Sequence, residues 1–543
     1  MAVEKLIVDH IDTWTTALQT RSTAGRGSSG KIDLYGIKKL RELILELAVR
    51  GKLVPQDPND EPASELLKRI AAEKAELVKQ GKIKKPKPLP EISEEEKPFE
   101  LPEGWEWVTL ATVGEIVGGG TPKSDNPQYW AKNGIKWLTP ADLYGLKGKY
   151  ISSGARDISP AGLSNSSARL MPKGSVLFSS RAPIGYVAIA DAELSTNQGF
   201  KSCVPYIKDS AEYIYYFLMA SAKKIDAEAS GTTFKEVSGA IVSKILFPLP
   251  PLSEQLKIVS RANELMSLCD QLEQHSLTGL DAHQQLVETL LTTLTDSQNA
   301  DELAANWARL SEHFDTLFTT EASIDALKQT ILQLAVMGKL VQSTDVVEYK
   351  KLKTFLSFGP RNGFSPVESK NKTRFKVLKL GATSYGELNI QESKFVDIDI
   401  DSNSHLYIKE GDILIQRGNS ANFVGCNVLV KENHKNIIYP DLMMKIRTNE
   451  DLLPEYASIW LSSPLARGFM WDRMTGTSGT MPKISKKVVE DIPIIVPSIA
   501  TQQKCIAFVN LAIKICSDLK IRLQTSQQTQ LHLADALTNA AIN

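Results

Sequence analysis

The sequence predicts an α+β fold in which two α/β domains with pseudo-twofold symmetry are separated by long antiparallel helices. The helices are expected to form a coiled-coil-like spacer, and an N-terminal helical extension precedes the first domain. Three observations predict this fold. One helical segment occurs twice, one proline turn occurs twice before a long helical pattern, and two divergent segments carry the same features in the same order. Such self-similarity is typical of a duplicated architecture.

The repeated helical segment is the clearest sign of duplication. Residues 37–54 read IKKLRELILELAVRGKLV and residues 324–341 read IDALKQTILQLAVMGKLV, so 11 of 18 positions are identical at an offset of 287. Apolar residues recur at spacings of three and four, which predicts a helix with a buried face. Gly51 and Gly338 are predicted to end the two helices, because glycine is favoured just after a helix C-terminus.

The second repeat is a proline turn that leads into a long helix. PPLSEQ at 250–255 matches PSIATQ at 497–502, an offset of 247. Apolar residues follow each turn in the same register: Val259, Ala262, Met266, Cys269 and Leu272 after the first, and Ile506, Val509, Ile513, Cys516 and Leu519 after the second. These stripes predict helices that pack against other helices as an imperfect coiled coil.

Two divergent segments, roughly 100–250 and 346–497, lie between the helices. Their features occur in the same order: a short strand pattern (107–117 and 349–358), a glycine loop (119–122 and 363–366), a turn with a buried strand (173–178 and 410–415), an apolar helix (212–218 and 455–461), and a Gly-Thr loop (231–233 and 479–481). The order predicts one scaffold with two different sets of loops.

Composition limits the class of protein. The chain of 543 residues is 42% hydrophobic and carries 63 basic and 63 acidic residues, so any surface for nucleic acid must be a local patch. The five cysteines are sparse and lack metal-ligand spacing, which indicates reduced thiols. The sequence contains neither an evident signal peptide nor a run of about 18 apolar residues, so a cytoplasmic location is predicted.

These features resemble a known family. The tandem domains, the P-x-[LI]-x-[ET]-Q turns, the LAVxGKLV helices and LPEGWEWVTL at 101–110 are similar to the specificity subunit (HsdS) of Type I restriction–modification enzymes. The resemblance extends over nearly the whole chain. It implies two target recognition domains, each reading one half of a split DNA sequence, and helices that fix the gap between the halves. Residues 253–295 would make a helix of roughly 60 Å, longer than one turn of B-DNA.

The resemblance also implies a domain layout and partners. The expected regions are a helical region with a charged linker (1–99), target recognition domain 1 (100–250), a central helical spacer (251–345), target recognition domain 2 (346–497) and a C-terminal helix (498–543). The expected partners are double-stranded DNA, two methyltransferase subunits (HsdM) and, through the complex, motor-nuclease subunits (HsdR). S-adenosylmethionine, ATP and Mg are expected in those partners, which methylate adenine N6 or restrict DNA that lacks the methyl group.

Polar and basic residues near glycine in the loops are the candidate DNA contacts, because arginine can bridge guanine O6 and N7 and asparagine or glutamine can bridge adenine N6 and N7. In the first domain they are Thr121, Lys123, Ser124, Tyr129, Ser179, Ser180, Arg181, Asn197, Gln198, Thr233 and Lys235. In the second they are Gln416, Arg417, Asn419, Ser420, Thr477, Ser478, Thr480 and Lys483. Arg181 and Arg417 stand out, since each follows the matched buried strand.

Catalytic motifs are not evident, so the chain is predicted to be a non-catalytic subunit without a metal site. There is no GxxxxGK[ST] loop and no HExxH pair. Asn126-Pro127-Gln128-Tyr129 is similar to the Asn-Pro-Pro-Tyr loop of N6-adenine methyltransferases, but no glycine-rich strand-turn-helix accompanies it, which favours a simple proline turn. Two alternatives stay open: a methyltransferase or nuclease with duplicated recognition domains, and a protein-assembly scaffold that does not bind DNA.

Overall fold

The computed structural model describes residues 3–21, 31–85, 90–181, 183–229, 235–341, 345, 348–476 and 481–542. The chain forms two compact units. Unit 1 comprises Met1–Leu18, Leu34–His275 and Gln530–Asn543, and unit 2 comprises Gln19–Asp33 and Ser276–Thr529. The predicted recognition domain 100–250 lies in unit 1 and the predicted domain 346–497 lies in unit 2, whereas the other three predicted regions are divided between the units. The domain limits stay predictions. No described helix is both long enough and apolar enough to traverse a lipid bilayer.

The helices follow one another along both units. In chain order they are α1 (Val3–Asp9), α2 (Ile11–Thr16), α3 (Tyr35–Val49), α4 (Ala63–Lys79), α5 (Leu110–Val113), α6 (Pro160–Ser164), α7 (Ala211–Glu228), α8 (Gly239–Ser243), α9 (Leu252–Asp296), α10 (Ala300–Glu312), α11 (Phe314–Leu317), α12 (Glu321–Val336), α13 (Pro454–Ser462), α14 (Pro464–Trp471), α15 (Lys486–Glu490) and α16 (Ile499–Ile542).

The strands are short. In chain order they are β1 (Gln19–Arg21), β2 (Lys31–Asp33), β3 (Glu106–Thr109), β4 (Gly114–Gly118), β5 (Trp130–Ala131), β6 (Ile135–Leu138), β7 (Tyr150–Ile151), β8 (Arg156–Ile158), β9 (Val176–Phe178), β10 (Val187–Ala190), β11 (Ser195–Thr196), β12 (Lys201–Pro205), β13 (Leu246–Leu249), β14 (Lys350–Lys351), β15 (Leu356–Asn362), β16 (Phe375–Leu378), β17 (Ser393–Val396), β18 (Ile413–Gln416), β19 (Asn427–Leu429), β20 (Ile437–Ile438), β21 (Met443–Thr448) and β22 (Pro493–Ile494).

The two units share one sheet topology, which confirms the predicted common scaffold. Unit 1 has a five-stranded sheet in the order β4-β12-β9-β10-β7 and a second sheet in the order β11-β6-β8-β5. Unit 2 has β15-β21-β18-β19 and β17-β16-β20. The central strands correspond one to one, and β6 and β16 each pair in parallel with the strand that precedes a loop, β11 and β20. Unit 1 extends its sheets with β7 and β5 at the edges.

The predicted buried strands are confirmed as β9 and β18. All residues of both strands are buried. In β18 the side chains alternate, with Leu414 in one hydrophobic cluster and Ile413 and Ile415 in another, because successive residues of a strand point to opposite faces. A sheet covered on both faces explains the unbroken apolar run in the sequence.

The first strand patterns are not continuous. Residues 107–117 divide into β3 and β4 around the helical turn α5, and residues 349–358 divide into β14 and β15 around a 3-10 turn at Leu352–Phe355. The pieces belong to different sheets, since β3 pairs with β13 whereas β4 pairs with β12. Each predicted strand is therefore interrupted at the point where the chain passes from one sheet to the other.

The two repeated helices, α3 and α12, end as predicted at Gly51 and Gly338. Both glycines have left-handed backbone angles, with φ of 67° and 69°. The amide of Lys52 donates to the Leu47 carbonyl at 2.9 Å, and the amide of Lys339 donates to that of Leu334 at 3.0 Å. This is the Schellman arrangement, in which glycine lets the chain turn back over the last carbonyls of the helix.

Helix α12 carries apolar residues on more than one face, because it packs in two hydrophobic clusters. Leu332 and Val336 pack in the cluster that includes the sheet residue Ile413, whereas Ile324 and Leu327 pack in a second cluster with helical residues of α9 and α16. The helix therefore joins the α/β core of unit 2 to the long helices, and each face needs its own apolar stripe.

The glutamine of the repeated proline turn has a structural role. Gln255 and Gln502 are fully buried, and their side-chain amides donate to the carbonyls of Pro250 and Pro497 at 3.0 and 2.9 Å. These bonds satisfy carbonyls at the start of α9 and α16, the two long helices that the sequence predicted.

Candidate DNA interface

In unit 1 the glycine loop is fastened to the loop after β11. The Gly120 amide donates to the Thr196 carbonyl at 2.9 Å, and the Thr121 hydroxyl donates to the Gln198 side-chain oxygen. Gly119 lies so close that an added Cβ would stand 1.9 Å from the Asn197 carbonyl oxygen. Only glycine permits this approach of two backbones.

Unit 2 repeats the arrangement with different side chains. The Phe364 amide donates to the Tyr439 carbonyl at 3.0 Å, and the Ser365 hydroxyl donates to the Asp441 carboxylate at 2.5 Å. A Cβ on Gly363 would stand 2.0 Å from the Tyr439 carbonyl oxygen. We call this feature the loop clasp: residues 119–121 with 196–198 in unit 1, and 363–365 with 439–441 in unit 2.

Several predicted contacts of unit 1 line one open cavity of about 440 Å³ beside the loop clasp. Arg181, Asn197 and Gln198 converge there, together with residues that the sequence did not single out: Thr139, Pro140, Ala141, Tyr144, Pro183, Tyr186 and Gly199. Asn197 is half-buried, and its side-chain oxygen accepts from the Gly199 amide at 2.8 Å, so its carboxamide orientation is fixed. The cavity thus holds an arginine and two carboxamides, the groups that read base edges.

Arg181 is exposed and held by an ion pair. Its guanidinium lies 2.9 Å from the Glu236 carboxylate, and both side chains remain more than a third exposed. The bond with Arg181 lowers the pKa of the Glu236 carboxyl. Glutamate therefore orients the guanidinium without removing it from the surface.

The remaining predicted residues of unit 1 divide by exposure. Lys123 and Ser124 are exposed in the loop that follows the clasp, and Tyr129 is half-buried. Lys235 is exposed and bonds to the Asp226 carbonyl at 3.2 Å. Ser179 and Ser180 do not reach the surface: both are fully buried, and their hydroxyls donate to the carbonyls of Pro183 and Gly199. These two serines support the loops from beneath.

In unit 2, Gln416 is also a buried support. Its amide donates at 3.0 Å to the Leu380 carbonyl and to the hydroxyls of Thr383 and Ser384, and its oxygen accepts from Asn419 at 2.7 Å. Asn419 and Ser420 are half-buried in the following loop, Arg417 is half-buried, and Lys483 is exposed. Burial thus separates Gln416 from the residues that can meet a ligand.

The two arginines after the matched strands are not structural counterparts. The Ser180 amide donates to the Gly199 carbonyl, and the Val237 amide donates to the Ser180 carbonyl. Arg417 makes the same two backbone bonds, with the Leu442 carbonyl and the Ile484 amide. Arg417 therefore corresponds to buried Ser180, and Arg181 corresponds to Gly418. A comparison of sequence position after a strand could not detect this shift of one residue.

Four predicted contacts, Thr233, Thr477, Ser478 and Thr480, lie outside the described residues. The Asn126-Pro127-Gln128-Tyr129 segment forms a 3-10 turn whose first residue accepts from the Gln128 amide at 3.0 Å. In the described parts of the chain, no group of histidine, cysteine, aspartate or glutamate side chains is arranged to hold a metal ion.

Comparison with known proteins identifies the family. The profile of the Type I restriction modification DNA specificity domain matches residues 102–282 and 340–525. The specificity subunits of the Type I restriction enzymes EcoEI and EcoAI of Escherichia coli are each 42% identical to this chain, over all of both proteins.

The fold agrees with a solved structure. A chain from a structure on complex assembly and conformational transition of the type I R-M system covers 82% of this chain and 99% of its own length, with a TM-score of 0.51 and 17% identity. The family profile matches twice, once over a range that contains the two larger sheets of unit 1 and once over a range that contains the two larger sheets of unit 2, in agreement with the duplicated sheet topology. This chain belongs to the family of Type I restriction–modification specificity subunits, HsdS.

Proposed function

We propose that this specificity subunit reads a bipartite DNA site, one half with each α/β domain, and contributes no catalytic group. The observation that carries the proposal is the loop clasp. The same backbone bonds and the same close glycine occur in both units, but the side chains differ: Thr121 with Gln198 in unit 1, and Ser365 with Asp441 in unit 2. A backbone arrangement that is the same in both units, with different side chains on it, suits the reading of two different DNA sequences.

The chemistry of each surface supports direct reading of bases. Unit 1 offers Arg181, Asn197 and Gln198 around one cavity. Unit 2 offers Arg417, Asn419, Ser420 and Lys483 at the corresponding loops. Arginine and carboxamide groups give bidentate bonds to purines in the major groove, and the exposed lysines Lys123 and Lys483 would contact phosphates.

Partner subunits would supply the reactions. In this proposal two HsdM subunits bring S-adenosylmethionine for adenine N6 methylation, and HsdR subunits bring ATP and Mg for restriction, with the whole complex in the cytoplasm. All five cysteines of this chain lie in the described regions and are free thiols, in keeping with a reducing compartment.

The decisive test is to co-express the chain with its methyltransferase subunits and sequence the methylated adenines of the host genome. We expect one split motif, with two defined halves around a constant unspecified gap. Binding of the assembled methyltransferase complex to that motif should weaken steeply as salt rises, because phosphate contacts release counterions. Methylation without a common motif, or no salt-sensitive DNA binding, would contradict the proposal and favour the protein-assembly scaffold.

We further propose that one HsdM subunit docks on an exposed apolar stripe of α16. Phe508, Leu511 and Ile515 follow a spacing of three and four and are 45%, 60% and 47% exposed. Val509 and Cys516, on an adjacent face of the same helix, are buried. An exposed apolar stripe beside a face that is already packed suits a second partner surface.

The basic residues on either side of the stripe indicate the kind of surface that it would bind. Exposed Lys504 and Arg522 lie on the helix before and after it. The matching positions of Phe508 and Leu511 in α9, at the offset of 247, are Arg261 and Glu264, which form an ion pair at 2.5 Å. Two of the three stripe positions are therefore charged in α9, whereas Ile515 has an apolar and exposed counterpart there, Leu268. The complete stripe occurs on α16 and suits a partner helix with an apolar face and acidic flanks.

We expect Leu511→Glu to weaken assembly with HsdM at least tenfold, because a carboxylate would be buried in an apolar contact. Analytical sedimentation or size-exclusion chromatography of the co-purified subunits measures the strength of this assembly. Ser517→Glu is the matched control, since residue 517 is exposed on the same helix outside the stripe. Equal assembly of both variants would show that HsdM docks elsewhere, while DNA reading by the domains would be unaffected.

A further inference from the structure

Two tyrosines are exposed at corresponding turns of the two units. Tyr144 is 80% exposed and Tyr385 is 82% exposed. Each follows the 3-10 turn after a matched strand, Pro140–Leu143 after β6 and Leu380–Thr383 after β16. Each also precedes a glycine with left-handed backbone angles, Gly145 with φ of 73° and Gly386 with φ of 85°.

Both turns are held by a buried or half-buried polar side chain. In unit 1 the Asp142 carboxylate accepts from the Thr139 amide at 2.7 Å, the Thr139 hydroxyl at 2.8 Å and the Ala155 amide at 2.8 Å. In unit 2 Gln416 donates to three oxygens of the turn, the last of them on Ser384, next to the tyrosine. The tyrosines therefore stand on fixed turns.

Each tyrosine adjoins the candidate DNA contacts of its own unit. Tyr144 lines the cavity that contains Arg181 and Asn197. The Tyr385 ring lies 6.2 Å from the ring of Phe423, in the 3-10 turn that directly follows Ser420. Two different loop sequences thus place an exposed phenol just after the corresponding 3-10 turn, directly after it in unit 1 and one residue later in unit 2.

A largely exposed aromatic ring on a fixed turn is suited to an interface. Tyrosine has only two side-chain torsions to restrict, and it combines an apolar ring with a hydroxyl. On DNA the ring could cover a thymine methyl group or a deoxyribose, while the hydroxyl bonds to phosphate. Neither ring is needed for the core, since both lie outside it.

We propose that Tyr144 and Tyr385 are paired DNA-positioning residues, each packing its ring against the half-site that its own unit reads. This inference rests on the proposed bipartite reading. The two tyrosines set the depth at which the loops enter the groove, and so they act on the arginine and carboxamide contacts of the same unit.

The test compares Tyr144→Ala and Tyr385→Ala in the complete methyltransferase complex on its methylation motif. Each variant should bind the motif about ten- to a hundredfold more weakly, the range of a lost central contact. Each should also tolerate base changes in one half-site only, and not the same half for both. Tyr144→Phe and Tyr385→Phe should retain most of the affinity, because the ring remains. The salt dependence should stay unchanged, since no charge is lost.

Tyr349→Ala is the matched control. This tyrosine is 56% exposed and adjoins β14, and its ring packs near Trp460. It should bind DNA like the wild type. If both turn variants also bind and discriminate like the wild type, the tyrosine inference fails although the bipartite function stands. If the phenylalanine variants are as weak as the alanine variants, ring packing is excluded. If the wild-type complex itself shows no motif, the proposed function fails first.

Discussion

Asp412→Ala is expected to lower the free energy of unfolding of unit 2 by about 3–5 kcal/mol, the usual cost of removing one partner of a buried ion pair. Asp412 is fully buried and Lys445 is 3% exposed, and their charged atoms lie 3.1 Å apart. Arg447 and the Lys409 amide also donate to this carboxylate, at 2.6 and 2.9 Å. Without Asp412, the Lys445 ammonium would remain buried with only the Tyr407 carbonyl as an acceptor among these groups.

The electrostatics agree with this expectation. Burial lowers the pKa of the Lys445 ammonium, and the charge of Asp412 opposes that effect. Removing the carboxylate therefore leaves the desolvation of lysine uncompensated. Chemical denaturation followed by the near-ultraviolet circular dichroism of the chain, to which Trp460 in the core of unit 2 contributes, would measure the loss.

In unit 1 the positions that correspond to the buried ion pair are occupied by uncharged residues. The pairing of Val176 with Cys203 matches the pairing of Ile413 with Ile446, so Ser175 and Ser202 occupy the places of Asp412 and Lys445. Both serines are fully buried. The double variant Asp412→Ser with Lys445→Met should therefore be more stable than Asp412→Ala alone, because no unpaired buried charge is left and the Arg447 side chain is partly exposed to solvent.

An exposed pair provides the control. Asp325 is bonded to Lys520 at 3.0 Å with both side chains about a third or more exposed. Asp325→Ala should cost about 1 kcal/mol or less, since solvent screens that pair. If Asp412→Ala is no more destabilising than Asp325→Ala, or if the double variant is the least stable of all, the buried pair does not hold this strand arrangement.

Sequence periodicity predicted the parts of the fold that depend on local burial. The helix ends at Gly51 and Gly338 and the buried strands β9 and β18 follow from composition over a few neighbouring residues. The break between β3 and β4 could not be predicted in this way. It depends on which distant strand supplies the hydrogen bonds, and a local apolar pattern carries no such information.

The candidate site was predictable in outline only. The glycine loops were matched correctly, but their partners Gln198 and Asp441 lie 77 and 76 positions away from Thr121 and Ser365. The sequence also did not indicate which polar residues are exposed. Gln416 and Arg417 are neighbours with similar polarity, but only Gln416 is fully buried. The dipeptide Tyr-Gly occurs at 144–145 and 385–386, but also at 35–36 at the start of α3, so it does not by itself indicate the exposed tyrosines.

Gly119→Ala and Gly363→Ala are expected to abolish discrimination at one half-site each and to destabilise their own unit. The added Cβ would lie 1.9 Å from the Asn197 carbonyl oxygen in the first variant and 2.0 Å from the Tyr439 carbonyl oxygen in the second. Both oxygens belong to the backbone, so the two loops of the clasp must separate. Overpacking of this kind costs about 1–3 kcal/mol or more, and displacement of the reading loops by an ångström removes their bonds to bases.

Alanine variants of nearby glycines are the controls, because they replace a glycine without a clash of the added Cβ. A Cβ on Gly118 would first meet the Lys201 side chain at 3.9 Å, and one on Gly359 would meet nothing within 4 Å. Gly118→Ala and Gly359→Ala should therefore fold and methylate like the wild type. The motif methylated by each variant complex gives the answer directly. Loss of specificity in the half read by unit 1 for Gly119→Ala, and in the other half for Gly363→Ala, would establish that the clasp positions the two reading surfaces independently. Wild-type motifs for both variants would show that the clasp has no part in recognition.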